Sequence, residues 1–170
     1  MFFYVGFPIV IASVAVIMDL RNTRVDNGWI LFCMITGISV RVIAEGLSGL
    51  ISFLSGAVFP LLLLGVLFVF RMLGPGDIKL FCALGGILGP GRILKCIILS
   101  FFLGAGISLA LLISNGDFRQ RFQYLFQYIC ELAETGKRKP YYKRGMSSLE
   151  NFHFTVPIFL SIVLYAGGIY

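Results

Sequence analysis

Two carboxylates stand out in this sequence because of where they sit. Asp19 closes a charge-free stretch over residues 1–18, and Asp77 comes just ahead of another over 80–91. Only eight of the 170 residues are acidic. At membrane depth an aspartate costs about 2.5–3.5 kcal/mol even on a lenient insertion scale, so its presence needs a reason. Two aspartates on one face could share a proton, as in an aspartic protease dyad. The ionised one activates water while the protonated one donates to a scissile carbonyl. Plainer readings exist for each alone: Asp77 as a helix N-cap, Asp19 as an end-of-span residue paired with Arg21 or Arg24.

Other reactive residue types offer less. His153 is the only histidine and reads as an interfacial hydrogen-bonder at the start of the last apolar segment. Cys33, Cys82, Cys96 and Cys130 form no C-x-x-C pair, which argues against a zinc site. They read as small buried hydrophobes. No metal and no cofactor are expected.

The elements that position these residues belong to a membrane protein. Apolar residues make up 58% of the chain and charged ones 13%, against about one half and one quarter in soluble domains. Mean hydropathy is +0.94. Disorder, a secreted disulfide scaffold and a nucleic-acid module are excluded by the same figures. Charge-free stretches run over 1–18, 27–40, 46–70, 80–91, 96–116 and 154–170. Each reads as one helix, since a span needs about 20 apolar residues. Their continuity argues against a β-barrel. The expectation is an all-α polytopic protein of about six transmembrane helices, forming a single membrane-embedded domain over 1–170. The first stretch has no preceding Lys or Arg and is expected to stay, not to be cleaved as a signal peptide.

Basic residues orient the chain. With the N-terminus outside, eleven of them face the cytoplasm: Arg21, Arg24, Arg71, Lys79, Arg119, Arg121, Lys137, Arg138, Lys139, Lys143 and Arg144. Only Arg41, Arg92 and Lys95 remain outside. The assignment is N-out and C-out, and the net charge of +6 reflects topology and attraction to anionic lipid, not nucleic acid.

Within that frame Arg41 is expected to snorkel outward, Pro60 to kink the 46–70 helix, and Gly104 and Gly106 to allow close helix contact. Gly89-Pro90-Gly91 stops the helix that Asp77 opens after about 13 residues, roughly 20 Å, against a bilayer core of about 30 Å. A recessed cytoplasmic end would put Asp77 in a partly dry cavity. Phe118, Phe122, Leu125, Phe126, Ile129 and Leu132 recur at three- and four-residue steps. They predict an amphipathic helix on the inner leaflet, so that 115–150 is a cytoplasmic amphipathic and basic loop.

Gly74-Pro75-Gly76-Asp77 matches the G-x-G-D motif of membrane aspartyl proteases. With Ile78-Lys79-Leu80 it resembles the G-x-G-D-x-K-L form of type IV prepilin peptidases. Asp19 to Asn27 resembles that family's first aspartate motif: Asp-x-Arg/Lys, a few residues, an aliphatic, Pro, Asn. The resemblance implies a cytoplasm-facing protease that removes a short basic leader from prepilins, cutting after a Gly before the hydrophobic helix. Carried over residue by residue, it implies Asp19 and Asp77 as the catalytic pair. Gly74 and Gly76 would admit substrate backbone, and Lys79 and Asn27 would be supporting polar groups. Asp26 replaces the usual Pro and adds a third carboxylate near the site. Nothing matches the C-x-x-C-bearing N-terminal domain of the larger enzymes, so no methyltransferase activity is expected. The chain looks like the short peptidase-only form, similar to tight-adherence pilus or archaeal preflagellin peptidases.

Helix dipoles make a further expectation. Asp77 at a helix N-terminus would be the anion and Asp19 at a C-terminus the proton holder. Rival readings are a presenilin-like or signal-peptide-peptidase-like protease, and a small transporter using the two aspartates as ion or proton ligands.

Overall fold

The computed structural model describes residues 2–70, 72–114 and 153–168, and these are helical throughout apart from short connections. The elements are α1 (Phe2–Asn22), α2 (Asn27–Val69), α3 (Pro75–Leu88), α4 (Pro90–Ser114) and α5 (Thr155–Ala166). The amphipathic and basic segment expected over 115–150, with Cys130 and Arg71, lies outside the described residues. Two compact units result: residues 1–104 with 153–170, and residues 105–152. The first carries the core; the described part of the second is the end of α4.

Helix α2 reverses on itself. Gly46 has φ 62° and ψ −138°, a conformation open essentially to glycine. In a straight helix residues 41 and 49 would stand about 12 Å apart, and 37 and 53 about 24 Å. Instead a Cβ on Gly49 would collide with the Arg41 carbonyl. A Cβ on Gly37 would stand 2.8 Å from the Phe53 ring. Both pairs centre on residue 45, so 27–45 and 47–69 are antiparallel arms. The chain turns just after Glu45, where the second of two charge-free stretches begins. Helical angles continue through Pro60, and the break expected there falls at Gly46.

Helix α3 lies against this hairpin. It starts with Pro75 at its first position, where the missing N–H costs nothing. It stops at Gly89, φ 85°. Ile78, Leu80, Phe81 and all of Ala83–Leu88 are buried; a helix apolar all round belongs in an interior. Gly56 of α2 and Gly85 of α3 bring their backbones together, since a Cβ on either would strike the other's carbonyl oxygen. Phe53, fully buried, fills the space that the missing side chains of Gly37 and Gly86 leave. These contacts explain how a 14-residue helix holds its place despite its length.

By length and composition three helices could cross a membrane: α1 over Tyr4–Asn22, α2, and α4 over Pro90–Leu111. The α5 helix is apolar but only 12 residues long. Large apolar side chains are exposed along α2, with Ile43 85% and Leu47 76% accessible. Such a surface suits hydrocarbon, not water.

Arg41 does not snorkel. It is 7% exposed, donates from Nη2 to the Ile87 carbonyl at 2.9 Å, and pairs with Glu45 at 2.9 Å. Tyr4 stacks under its guanidinium at 4.8 Å and donates its hydroxyl to Glu45 at 2.8 Å. Carbonyls at a helix C-terminus have no intrahelical donor, so Arg41 supplies one to the end of α3 and ties it to α2.

Candidate active site

Asp19 lies in the last turn of α1, largely buried. Its neighbours come from the far end of the chain. Thr155 Oγ1 donates to Asp19 Oδ2 at 2.7 Å, and His153 Nδ1 stands 3.0 Å from the same oxygen. Phe154, between them, explains how they reach it. Its ring meets Phe81 of α3 edge-on at 6.5 Å and Phe101 of α4 at 5.2 Å. Gly104 makes room, since a Cβ there would stand 3.0 Å from Phe154 and 3.4 Å from Pro157. Gly106 has nothing within 4 Å, so only the first of the two expected close-contact glycines is used in that way. Pro157 is buried at that contact.

Asp77 is the third residue of α3, ahead of the 80–91 stretch, and its N-cap is Gly74. It is therefore not the N-cap itself. Its carboxyl folds back and accepts a hydrogen bond from the Gly74 backbone N–H, the reach-back half of a capping box. A Cβ on Gly74 would stand 3.2 Å from Asp77 Oδ2, so glycine leaves space for this fold-back. A Cβ on Gly76 would only touch Val25 at 4.0 Å. Phe81 sits one turn beyond Asp77 and on the same face of α3, so its contact with Phe154 draws the Asp77 end of α3 toward the segment that holds Asp19.

The two carboxyls sense each other. Burial, foremost, and then the charge of Asp19 push Asp77 up to about 6, with the Gly74 hydrogen bond opposing. Both effects act on Asp77 against the helix dipole, which by itself would favour its anion. A dipole contributes about 0.3–1 kcal/mol, whereas a hydrogen bond to a charged group contributes about 1.5–3 kcal/mol. Asp19 has the His153 and Thr155 groups on one oxygen; Asp77 has one backbone amide and little water.

The remaining expected residues fall into place around them. Lys79 Nζ donates to Asn27 Oδ1 at 2.8 Å, joining the N-terminal ends of α3 and α2. Asp26 caps α2 by accepting from the Gly28 N–H at 3.2 Å, and it is exposed. That local bond accounts for the third carboxylate. Neither Thr155 nor His153 stands in a motif, so their place beside Asp19 has no signal in the sequence. No group of three or more His, Cys, Asp or Glu arranged to hold a metal is found among the described residues.

Searches of curated proteins and of solved structures return no match. The profile of the type IV leader peptidase family matches residues 6–109. That span includes Asp19, Asn27, Gly74, Gly76, Asp77 and Lys79, and it stops short of His153 and Thr155. With 104 of the 170 residues matched, and with helices apolar enough for a membrane, this membrane protein is a peptidase that belongs to the type IV leader peptidase family.

Proposed function

We propose that the protein is an aspartyl endopeptidase that removes the short basic leader from type IV prepilin-like precursors. Asp19 and Asp77 are the catalytic pair, one ionised and one protonated, and water is the nucleophile. The observation that carries this reading is the electrostatic coupling of the two. Asp77, at the start of α3, is held well above the ordinary carboxyl range by burial first and then by the charge of Asp19, at the end of α1. A carboxylic acid beside a carboxylate is what general acid and general base chemistry on a peptide bond requires. Lys79 and Asn27 act as a strut between α2 and α3. Gly74 gives Asp77 its fold-back space, and Gly76 keeps the approach to the helix start clear.

In this reading the chain is a multi-pass protein of the prokaryotic cytoplasmic membrane, N-out and C-out, with the site facing the cytoplasm. Six spans follow from α1, both arms of α2, α4, the short α5 and the charge-free part of α3, which leaves Asp77 at the membrane face. The eleven-to-three division of basic residues supports the orientation. The substrate's leader would lie at the cytoplasmic face while its hydrophobic helix stays in lipid. The chemistry of a carboxylate pair asks for neither metal nor cofactor.

Co-expression with a prepilin whose basic leader ends in Gly tests the reading. Mass and N-terminal sequence of the pilin are read with wild type, Asp19→Asn, Asp77→Asn and Asp26→Asn. Leader loss should need Asp19 and Asp77 and survive at Asp26. Cleavage that persists in Asp77→Asn would sink the mechanism. Uncut pilin beside folded wild-type enzyme would sink the substrate assignment.

A further inference from the structure

His153 and Thr155 lie outside the family-matched residues, yet they supply both side-chain contacts of Asp19 to described residues. Both contacts fall on Oδ2. A hydroxyl has one proton to give, and Thr155 gives it at 2.7 Å. With its proton on Nδ1, the imidazole 3.0 Å from the same atom is the second donor; this tautomer is an assignment. Two donors on one oxygen favour the carboxylate over the neutral acid, because hydrogen bonds to an ionised acceptor are the stronger ones. Oδ1 has no hydrogen bond to another described residue.

Among the described residues, the other charged groups near the site are exposed or already bonded. Arg21 and Arg24, on α1 and the turn after it, are exposed. Asp26, before α2, is exposed and bonded to the Gly28 N–H. Lys79 of α3 is bonded to Asn27. From α3 that leaves Asp77, whose one bond is to its own N-cap amide, and from the α5 side His153 itself.

Resting on the aspartyl peptidase reading above, we propose that His153 and Thr155 are positioning residues that hold Asp19 as the anionic, water-activating member of the pair, leaving Asp77 to carry the proton. Asp19 takes a proton from water as the water oxygen bonds to the scissile carbon, and Asp77 gives its proton to the carbonyl oxygen. The tetrahedral diol then collapses. The C–N bond breaks as Asp19 passes its proton to the leaving nitrogen, and Asp77 recovers a proton from the second hydroxyl. Both carboxyls return to their starting states, and one water has been consumed.

The acid limb of the kcat/KM pH profile reads the ionisation of Asp19. With purified full-length enzyme in lipid nanodiscs and a synthetic prepilin peptide, Thr155→Val removes the hydroxyl at nearly constant volume. It should move that limb upward by about one pH unit and lower kcat about tenfold or more, with KM little changed. Thr155→Ser should restore both values. His153→Asn, which keeps a donor near the Nδ1 position, should lie closer to wild type than His153→Phe. An acid limb that stays put in Thr155→Val and His153→Phe would overturn the inference, whatever happens to the rate. A rate loss that Thr155→Ser does not recover would also overturn it. Asp19→Asn and Asp77→Asn run alongside: if they still cleave, the aspartyl reading itself has failed, whereas inactive controls with an unmoved limb remove only the positioning role.

Discussion

Lys79 Nζ on α3 donates to Asn27 Oδ1 at the start of α2, 2.8 Å away and in contact with solvent. Such an exposed bond contributes little to stability, about 0–1 kcal/mol. Its consequence is positional, because it fixes the turn of α3 that carries Asp77 against the hairpin. Asn27→Ala and Lys79→Met should each lower kcat/KM while moving the unfolding temperature very little. The double variant should be no worse than the poorer single one, since both delete the same contact. A double-mutant cycle on peptide cleavage measures this; simple addition of the two losses would show that they act separately.

The burial of Asp77 makes a prediction about stability and pH. Its folded-state pKa is raised from 3.8 to about 6, so the folded protein binds the extra proton. Stability is therefore lost as pH rises from about 4 through about 6, and the cost remains above that. The ceiling is about 3 kcal/mol for a shift of this size. Asp77→Asn should unfold at a higher temperature than wild type at about pH 8 and at nearly the same temperature at about pH 4. In Asp19→Asn, which removes the neighbouring charge, the wild-type loss should occur at lower pH. Thermal unfolding across pH in one detergent checks both.

Backbone contact between Gly56 and Gly85 should make those positions intolerant of any side chain. A Cβ at Gly85 meets the Gly56 carbonyl oxygen, and backbone cannot move aside as a flexible side chain can. Gly85→Ala should destabilise by about 1–3 kcal/mol. Gly65, also within α2, has nothing within 4 Å of a Cβ. Gly65→Ala should be neutral, or more stable by up to about 1 kcal/mol through helix propensity. Paired unfolding measurements decide whether steric contact, not glycine as such, is responsible.

Arg41 should resist conservative replacement. Its guanidinium reaches the Ile87 carbonyl through one nitrogen and Glu45 through the other, a fork that a single ammonium cannot reproduce. Arg41→Lys should be nearly as destabilising as Arg41→Met, about 1–3 kcal/mol for the buried carbonyl left without a donor. Glu45→Gln should cost less, because Glu45 is half-exposed and water can replace it. Full stability in Arg41→Lys would show that the Ile87 contact contributes nothing.

Local patterns determined a good deal of this protein. Long apolar runs are enough to say helix and membrane, since backbone hydrogen bonds in lipid leave few alternatives. Gly74-Pro75-Gly76-Asp77 marked a helix start with a carboxylate on it, because proline and glycine constrain the backbone over a few residues. At Glu45-Gly46 the boundary between two apolar runs was legible, but the full reversal of the chain was not. A glycine permits a positive φ without requiring it, and the packing of the two arms decides whether it is used.

Tertiary structure decided the rest. Whether Asp26 or Asp19 belongs with Asp77 depends on which helix ends meet, and Asp26 proves to be occupied locally by the Gly28 amide. Where Arg41 goes depends on an unfilled carbonyl 46 positions away. Which groups reach Asp19 depends on His153 and Thr155, 134 and 136 positions away. Helix dipoles can be read from sequence, but they are weaker than direct donors, and donors that arrive from another helix leave no local spacing to find.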